Sequence, residues 1–292
     1  MSVQQKSLGF IGIGLMGKPM TLRLLAAGLK VNVWNRSPEK LAEVETAGAR
    51  VCSSIQEILQ NSETILLCLS DTQTVESLVI QHILPYGESG KLLIDLSSIA
   101  PETTRQLANS LWQQCGMRWV DAPVSGGTSG AEQGCLAIMA GGDVEDVALA
   151  REVLKPLYSR LTHMGPVGSG QISKICNQMI VSCNVLVIAE MMALAAKSGV
   201  DAAKIPEALA GGFADSKPLQ IVAPEMAAER FEPVKWRVKT LLKDLQMAVE
   251  LGTTQDSAIP MSALAAQLMR LHGSKGYMEQ DPATLIKLYR PD

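Results

Sequence analysis

The chain has 292 residues, and its 26 Lys+Arg against 29 Asp+Glu leave a formal net charge of -3. At ~100–200 residues per domain this length gives two domains, and 47% hydrophobic with 19% charged residues excludes a disordered chain. The slightly acidic balance argues against nucleic acid as a partner, and with aromatics at only 4% the core falls to aliphatic side chains and 14 methionines.

Leu8–Ile13 reads as a first strand running into glycines, and Lys18–Ala27 as a helix closed by Gly28. Val31–Trp34 is a second strand, followed by Asn35-Arg36-Ser37-Pro38 as turn and helix start. Ile65–Leu69 and Leu92–Leu96 are buried strands with helical stretches on either side, and Trp119–Asp121 and Ala137–Ala140 add edge strands. Strands alternating with helices imply right-handed βαβ units and a doubly wound parallel sheet. The texture changes after Gly165-Pro166-Val167-Gly168-Ser169-Gly170, beyond which the pattern is helical to the C-terminus. The expected division is therefore residues 1–165 and an all-helical 166–292. Ile172–Ala196 is apolar enough to raise the question of a membrane, but Lys174, Asn177, Gln178, Asn184 and Glu190 interrupt it. A long central helix joining the two domains, with no membrane, is the expectation.

Six cysteines show no C-x-x-C pair, and His82, His163 and His272 are far apart, so free thiols and no metal site are expected. The N-terminal MSVQQKSLGFIGIG lacks the basic start and long apolar run of a secretion signal, which makes the cytoplasm the expected compartment.

Gly12-Ile13-Gly14-Leu15-Met16-Gly17 is a G-x-G-x-x-G directly after the first strand and directly before a helix. Gly12 permits a tight turn, Gly14 lets a pyrophosphate approach the backbone, and Gly17 allows close strand–helix packing. The diphosphate then sits at the positive end of the helix, which makes the N-terminal domain a Rossmann-type dinucleotide-binding domain. Asn35 lies 18 residues past Gly17, near the expected ~20 for the residue that meets the ribose. An acidic residue there would repel a 2′-phosphate. Asn35-Arg36-Ser37 instead offers a cation and a hydroxyl, which favours NADP and leaves NAD possible.

Two further motifs are Asp121-Ala122-Pro123-Val124-Ser125-Gly126-Gly127 and Gly168-Ser169-Gly170-Gln171-Ile172-Ser173-Lys174-Ile175-Cys176-Asn177. Together with the N-terminal fingerprint, Asp95-Leu96-Ser97-Ser98-Ile99-Ala100-Pro101 and Lys243-Asp244-Leu245, they make the chain resemble the β-hydroxyacid dehydrogenase family. That family includes 3-hydroxyisobutyrate dehydrogenases, tartronate semialdehyde reductases and glyoxylate/succinic semialdehyde reductases. The resemblance implies that Lys174 is the catalytic lysine, with Asn177 in its supporting region and Gln178 where many relatives carry a second asparagine. It implies that Ser125, Gly126 and Gly127 hold a substrate carboxylate. It also implies that Ser98 contacts the cofactor near the nicotinamide ribose, and that Lys243-Asp244 lies on a helix closing over the site.

The residues support these roles by their own chemistry. Lys174 and Asn177 are i and i+3 on a helix, hence on one face. A lysine in an apolar helix needs a partner, a shifted pKa or a reaction to serve, and reduction of an aldehyde needs a proton at the forming alkoxide. Two glycines beside Ser125 free backbone N–H groups to converge on an anion.

Gly211-Gly212-Phe213-Ala214 matches tartronate semialdehyde reductases in part, but Leu241 stands where they carry a histidine. The expected activity is NADPH-dependent reduction of a small carboxylate-bearing aldehyde to the hydroxy acid. The alternatives are NAD-dependent oxidation of 3-hydroxyisobutyrate or serine, and a nicotinamide-binding protein without catalysis. The long apolar helix points to a homodimer or homotetramer.

Overall fold

In the computed structural model, which describes residues 7–290, the buried apolar runs become short parallel strands and the amphipathic stretches become helices against them. The elements in order are β1 Leu8–Ile11, α1 Gly17–Ala26, β2 Val31–Trp34, α2 Ala42–Thr46, β3 Arg50–Val51 and α3 Ile55–Asn61. Next come β4 Thr64–Leu67, α4 Thr72–Leu78, β5 Leu92–Asp95, α5 Pro101–Cys115, β6 Arg118–Asp121 and β7 Val124–Ser125. The series continues with α6 Gly127–Gln133, β8 Leu136–Gly141, α7 Val144–Leu154, β9 Tyr158–Gly165 and α8 Ser169–Lys197. Helices α9 Ile205–Leu209, α10 Lys217–Ala227, α11 Val238–Thr254 and α12 Pro260–His272 complete the chain, with no strand after β9 among the described residues.

The sheet order is β3-β2-β1-β4-β5-β6-β8-β7, with β9 on the other side of β8. From β3 to β6 every pairing is parallel. The doubly wound parallel sheet is thus present, and it is extended past β6 by a reversed pair: β8 runs antiparallel to β6 and β7 and parallel to β9. Ala122-Pro123 separates β6 from β7, and a proline has no N–H to donate to a ladder. The chain then returns through the single short helix α6, too little for a parallel crossover over a sheet face. The two-residue strands β3 and β7 and the half-exposed edge strand β9 escape the sequence reading because none carries a clear apolar pattern.

Successive strand residues feed opposite faces, as the pleat requires. Leu8 and Phe10 of β1, Leu66 of β4 and Leu92 and Ile94 of β5 pack into one core layer. Ile11, Ile65, Leu67 and Leu93 enter the other. Burial on both faces explains why these strands read as unbroken apolar runs.

The chain divides into two compact units, Met1–Lys174 and Ile175–Asp292. The division falls inside α8, although the sequence texture changes at residue 165, because the first turns of α8 are bonded to the strands of the first unit. The second unit is helical, with Val185, Ile188, Ala189 and Met192 of α8 in a core completed by Val222 and Met226 of α10, Leu241 and Leu245 of α11 and Met269 of α12. α8 is long and apolar enough to cross a membrane by length and composition alone. Besides its buried face it carries an exposed apolar stripe of Ile180, Val187 and Leu194, one residue every seven.

Candidate active site

The glycine-rich turn occupies the loop from β1 to α1. Gly12 has φ +102, and a Cβ there would lie 2.3 Å from the Cys68 carbonyl oxygen. A Cβ on Gly17 would lie 1.9 Å from the Gly12 carbonyl oxygen, so only glycine lets α1 start this close to β1. Gly14 faces open space, with nothing within 4 Å of the position its Cβ would take. No side chain caps α1, which leaves its first N–H groups and the positive end of the helix directed at that space. Ile13 is buried, Leu15 is exposed and Met16 packs on the core. A diphosphate fits this cradle by shape and by sign of charge.

Past β2, the carboxamide of Asn35 is engaged by the protein. Its oxygen accepts from Ile13 N–H at 2.9 Å, and its nitrogen donates to the Ser37 carbonyl at 2.9 Å. Asn35 therefore ties the glycine-rich turn to the turn that follows β2. Arg36 between them is exposed, and Ser37 is half-buried.

Ser98 lies in the turn after β5, which is held at several points. Leu69 N–H donates to Ser97 Oγ, Ser97 N–H to Asp95 Oδ1 and Ala100 N–H to Thr72 Oγ1. Gln171, near the start of α8, donates through Nε2 to the Ser97 carbonyl and accepts from Ile99 N–H through Oε1. Ser98 itself is half-buried within this frame.

Two buried carboxylates close the neighbouring strands. Asp95 and Asp121 are register partners across β5 and β6. Burial pushes the Asp95 carboxyl up to about 7, against the opposing bonds from Ser97, and the nearby Asp121 charge pushes the same way. Its Oδ2 has no hydrogen-bond partner among the described residues. Burial raises Asp121 to about 6, against the N–H groups of Gly168 and Gln171 that favour its charged form.

Ser125 ends β7, and Gly126 and Gly127 turn the chain into α6 with φ values of +138 and +64. Nothing stands within 4 Å of a Cβ at Gly127, so its backbone is open to a ligand. Lys174 lies in the second turn of α8, half-buried. Both belong to the first unit.

In the second unit, Asn177 Nδ2 donates to Gln178 Oε1 at 2.8 Å, and Gln178 Nε2 donates to Asp244 Oδ2 at 2.5 Å. Lys243 Nζ stands 3.3 Å from the other oxygen of Asp244, whose side chain is only 3% exposed. The carboxamide of Gln178 thus bridges Asn177 and Asp244. Among the described residues, no group of three His, Cys, Asp or Glu is placed to hold a metal ion.

A family model described as the NAD binding domain of 6-phosphogluconate dehydrogenase matches residues 7–165. A second, the NAD-binding domain of NADP-dependent 3-hydroxyisobutyrate dehydrogenase, matches residues 168–289. The chain belongs to the 3-hydroxyisobutyrate dehydrogenase family of β-hydroxyacid dehydrogenases. Among relatives in this family is the NAD-dependent L-serine dehydrogenase of Pseudomonas aeruginosa, 32% identical over 98% of each chain. Another is the 2-hydroxy-3-oxopropionate reductase of Escherichia coli, 31% identical over 96% of each. A structure of Mycobacterium tuberculosis 3-hydroxyisobutyrate dehydrogenase with L-serine superposes with a TM-score of 0.88 at 26% identity, covering 98% of this chain and 100% of that one.

As a member of the family, the protein is an NAD(P)-dependent β-hydroxyacid dehydrogenase. The open space at Gly14, beside the uncapped start of α1, fits the nucleotide that this membership requires. Sequence reasoning assigned no role to Asp95, Asp121 or Gln171, although each lies inside a motif it quoted. The available signal was an acidic residue at the end of two successive buried strands, where burial is costly without partners.

Proposed function

We propose that the protein is a cytoplasmic, NADPH-dependent reductase of a small aldehyde bearing a carboxylate, such as tartronate semialdehyde, a related semialdehyde or glyoxylate. The observation that carries this reading is the turn after β7. There Ser125, Gly126 and Gly127 offer a hydroxyl and open backbone at the end of a strand, where α/β sheets bind ligands. Such donors select a carboxylate and hold the aldehyde beside it.

Gly12–Gly17 would hold the nicotinamide cofactor, which when bound would supply the hydride for the carbonyl carbon. The ammonium of Lys174 then gives its proton to the carbonyl oxygen as negative charge forms there, leaving a neutral amine that recovers a proton from water. Asn177, one turn further along α8, supports the lysine. Gln178 and Lys243, both held to Asp244, serve substrate and cofactor respectively. Ser98, fixed in the turn after β5, meets the nicotinamide ribose. Exposed Arg36 with Ser37, and an uncharged Asn35 directly after β2, favour a 2′-phosphate and hence NADP over NAD. The apolar stripe of Ile180, Val187 and Leu194 supports a homodimer or homotetramer.

A second reading is NAD-dependent oxidation of serine or 3-hydroxyisobutyrate. It is favoured by the relative named an NAD-dependent L-serine dehydrogenase and by the similar structure solved with L-serine. Loss of reduced-nicotinamide absorbance, with NADPH and NADH in parallel, tests tartronate, succinic and methylmalonate semialdehydes and glyoxylate. Its gain, with NADP and NAD, tests serine and 3-hydroxyisobutyrate. Fast NADPH consumption with one aldehyde supports the reductase. Turnover only with NAD and a hydroxy acid replaces it with the second reading.

A further inference from the structure

Asp121 ends β6 with a fully buried carboxylate whose two oxygens are both given to the backbone that opens α8. Oδ1 accepts from Gly168 N–H at 2.8 Å, and Oδ2 from Gln171 N–H at 2.9 Å. The first N–H groups of a helix have no partners within it and carry its positive end, so this carboxylate caps α8 from a different element. Glycines make the approach possible. A Cβ on Gly170 would stand 2.4 Å from the Met139 carbonyl oxygen and 2.8 Å from Asp121 Oδ2. A Cβ on Gly141 would stand 2.6 Å from Asp121 Oδ1.

Gln171, itself buried, extends the attachment to the neighbouring strand. It donates to the Ser97 carbonyl at 2.9 Å and accepts from Ile99 N–H at 3.1 Å. The start of α8 is thus bonded to the ends of both β5 and β6, which fixes its origin and its rotation about its own axis. Lys174 follows Gln171 by three residues, on the same helix face. A helix turned by a single residue would swing that lysine through about 100°.

We propose that Asp121 is a positioning residue for the reaction: by clamping the first turn of α8, its carboxylate sets where the Lys174 ammonium delivers its proton. The inference rests on the reading of Lys174 as proton donor. It assigns Asp121 no contact with substrate, and it explains why the motif carrying Lys174 has a glycine at position 170.

The test compares Asp121→Asn with the wild type and with Lys174→Ala, using the aldehyde that turns over fastest. Kinetics are normalised to the NADPH-binding sites titrated in each preparation. Asparagine keeps one acceptor oxygen but turns an amide donor toward a backbone N–H. The expected result is a fall in kcat of about 10²-fold per binding site, the size of effect that a misplacement of about 1 Å produces. The NADPH dissociation constant should stay within about threefold, because the Gly12–Gly17 cradle is untouched. A merely structural role would lower the melting temperature and the number of binding sites while leaving kcat per site unchanged, and that result overturns the proposal. If Asp121→Asn does not fold, Gln171→Met carries the test, since it cuts only the bonds to Ser97 and Ile99. A fall of about tenfold in kcat with NADPH binding preserved supports the clamp, and an unchanged kcat overturns it. Loss of turnover in Lys174→Ala beside full turnover in Asp121→Asn overturns the positioning role alone. Wild-type turnover in Lys174→Ala overturns the proton-donor reading and the positioning role with it.

Discussion

Arg36 stands exposed two residues past β2, while the carboxamide of Asn35 beside it is occupied by Ile13 N–H and the Ser37 carbonyl. Of these two residues the arginine is therefore the one available to a 2′-phosphate, and the asparagine acts by holding the turn. A hydrogen bond to a charged group is worth about 1.5–3 kcal/mol, or roughly 10–100-fold in affinity. Arg36→Glu should accordingly raise the Michaelis constant for NADPH by about that factor and leave the constant for NADH nearly unchanged. Steady-state kinetics with both cofactors checks this, and equal effects on the two would remove the 2′-phosphate argument. Gln178 is a related case, because the side chain proposed to serve substrate also bridges Asn177 and Asp244. Sequence spacing marks where such a residue lies along a helix, but not which of its donors and acceptors the protein has already used.

At the scale of elements, the β1–α1 turn separates two glycine functions that one motif contains. A Cβ at Gly17 meets the Gly12 carbonyl at 1.9 Å, and Gly12 is itself held at the end of β1 by its N–H bond to the Trp34 carbonyl. Gly17→Ala should push α1 off β1 and cost at least ~1–3 kcal/mol, the usual range for overpacking. A Cβ at Gly14 meets only open space. Gly14→Ala should keep the melting temperature of the wild type while weakening NADPH binding by filling the diphosphate's place. Thermal unfolding and NADPH titration of the two variants check the contrast. Similar losses of stability in both would show that Gly14 serves packing, not the ligand. The strands β1, β2, β4 and β5 could be read in advance because burial on both faces makes each an unbroken apolar run. The reversal of β8 could not, because Ala122-Pro123 interrupts pairing without changing the apolar pattern on either side.

Across the whole molecule, the buried pair Asp95 and Asp121 makes stability depend on pH. Both carboxyls titrate well above their ordinary value near 3.8, Asp95 at about 7 and Asp121 at about 6. A folded state that binds protons more tightly than the unfolded chain is favoured below the unfolded pKa and loses that advantage as pH rises through the folded one. The contribution of these groups is therefore complete near pH 4, declines through pH 6 and is gone above about pH 7. Asp95→Asn keeps an acceptor for Ser97 N–H and removes the charge. It should raise the melting temperature at pH 8 by several degrees and flatten its dependence between pH 5 and 8. Thermal unfolding across that range is the measurement. A variant as pH-dependent as the wild type, or less stable at pH 8, would contradict the assignment.

By itself, the sequence determined the family, the dinucleotide fold of the first unit, the helical second unit and the glycine-rich turn between β1 and α1. These follow from local chemistry: glycines where the backbone must be bare, two-face apolar runs for central strands and an interrupted apolar run for α8. The tertiary structure decided the antiparallel end of the sheet, the point inside α8 where the units divide and the internal use of Asn35 and Gln178. It also decided that Asp121 meets the start of α8, some fifty residues further along the chain. The physical reason is common to these cases. Hydrogen-bond partners and burial of charge are settled by which distant backbone groups the packed strands and helix ends bring within 3 Å, and periodicity carries no record of that.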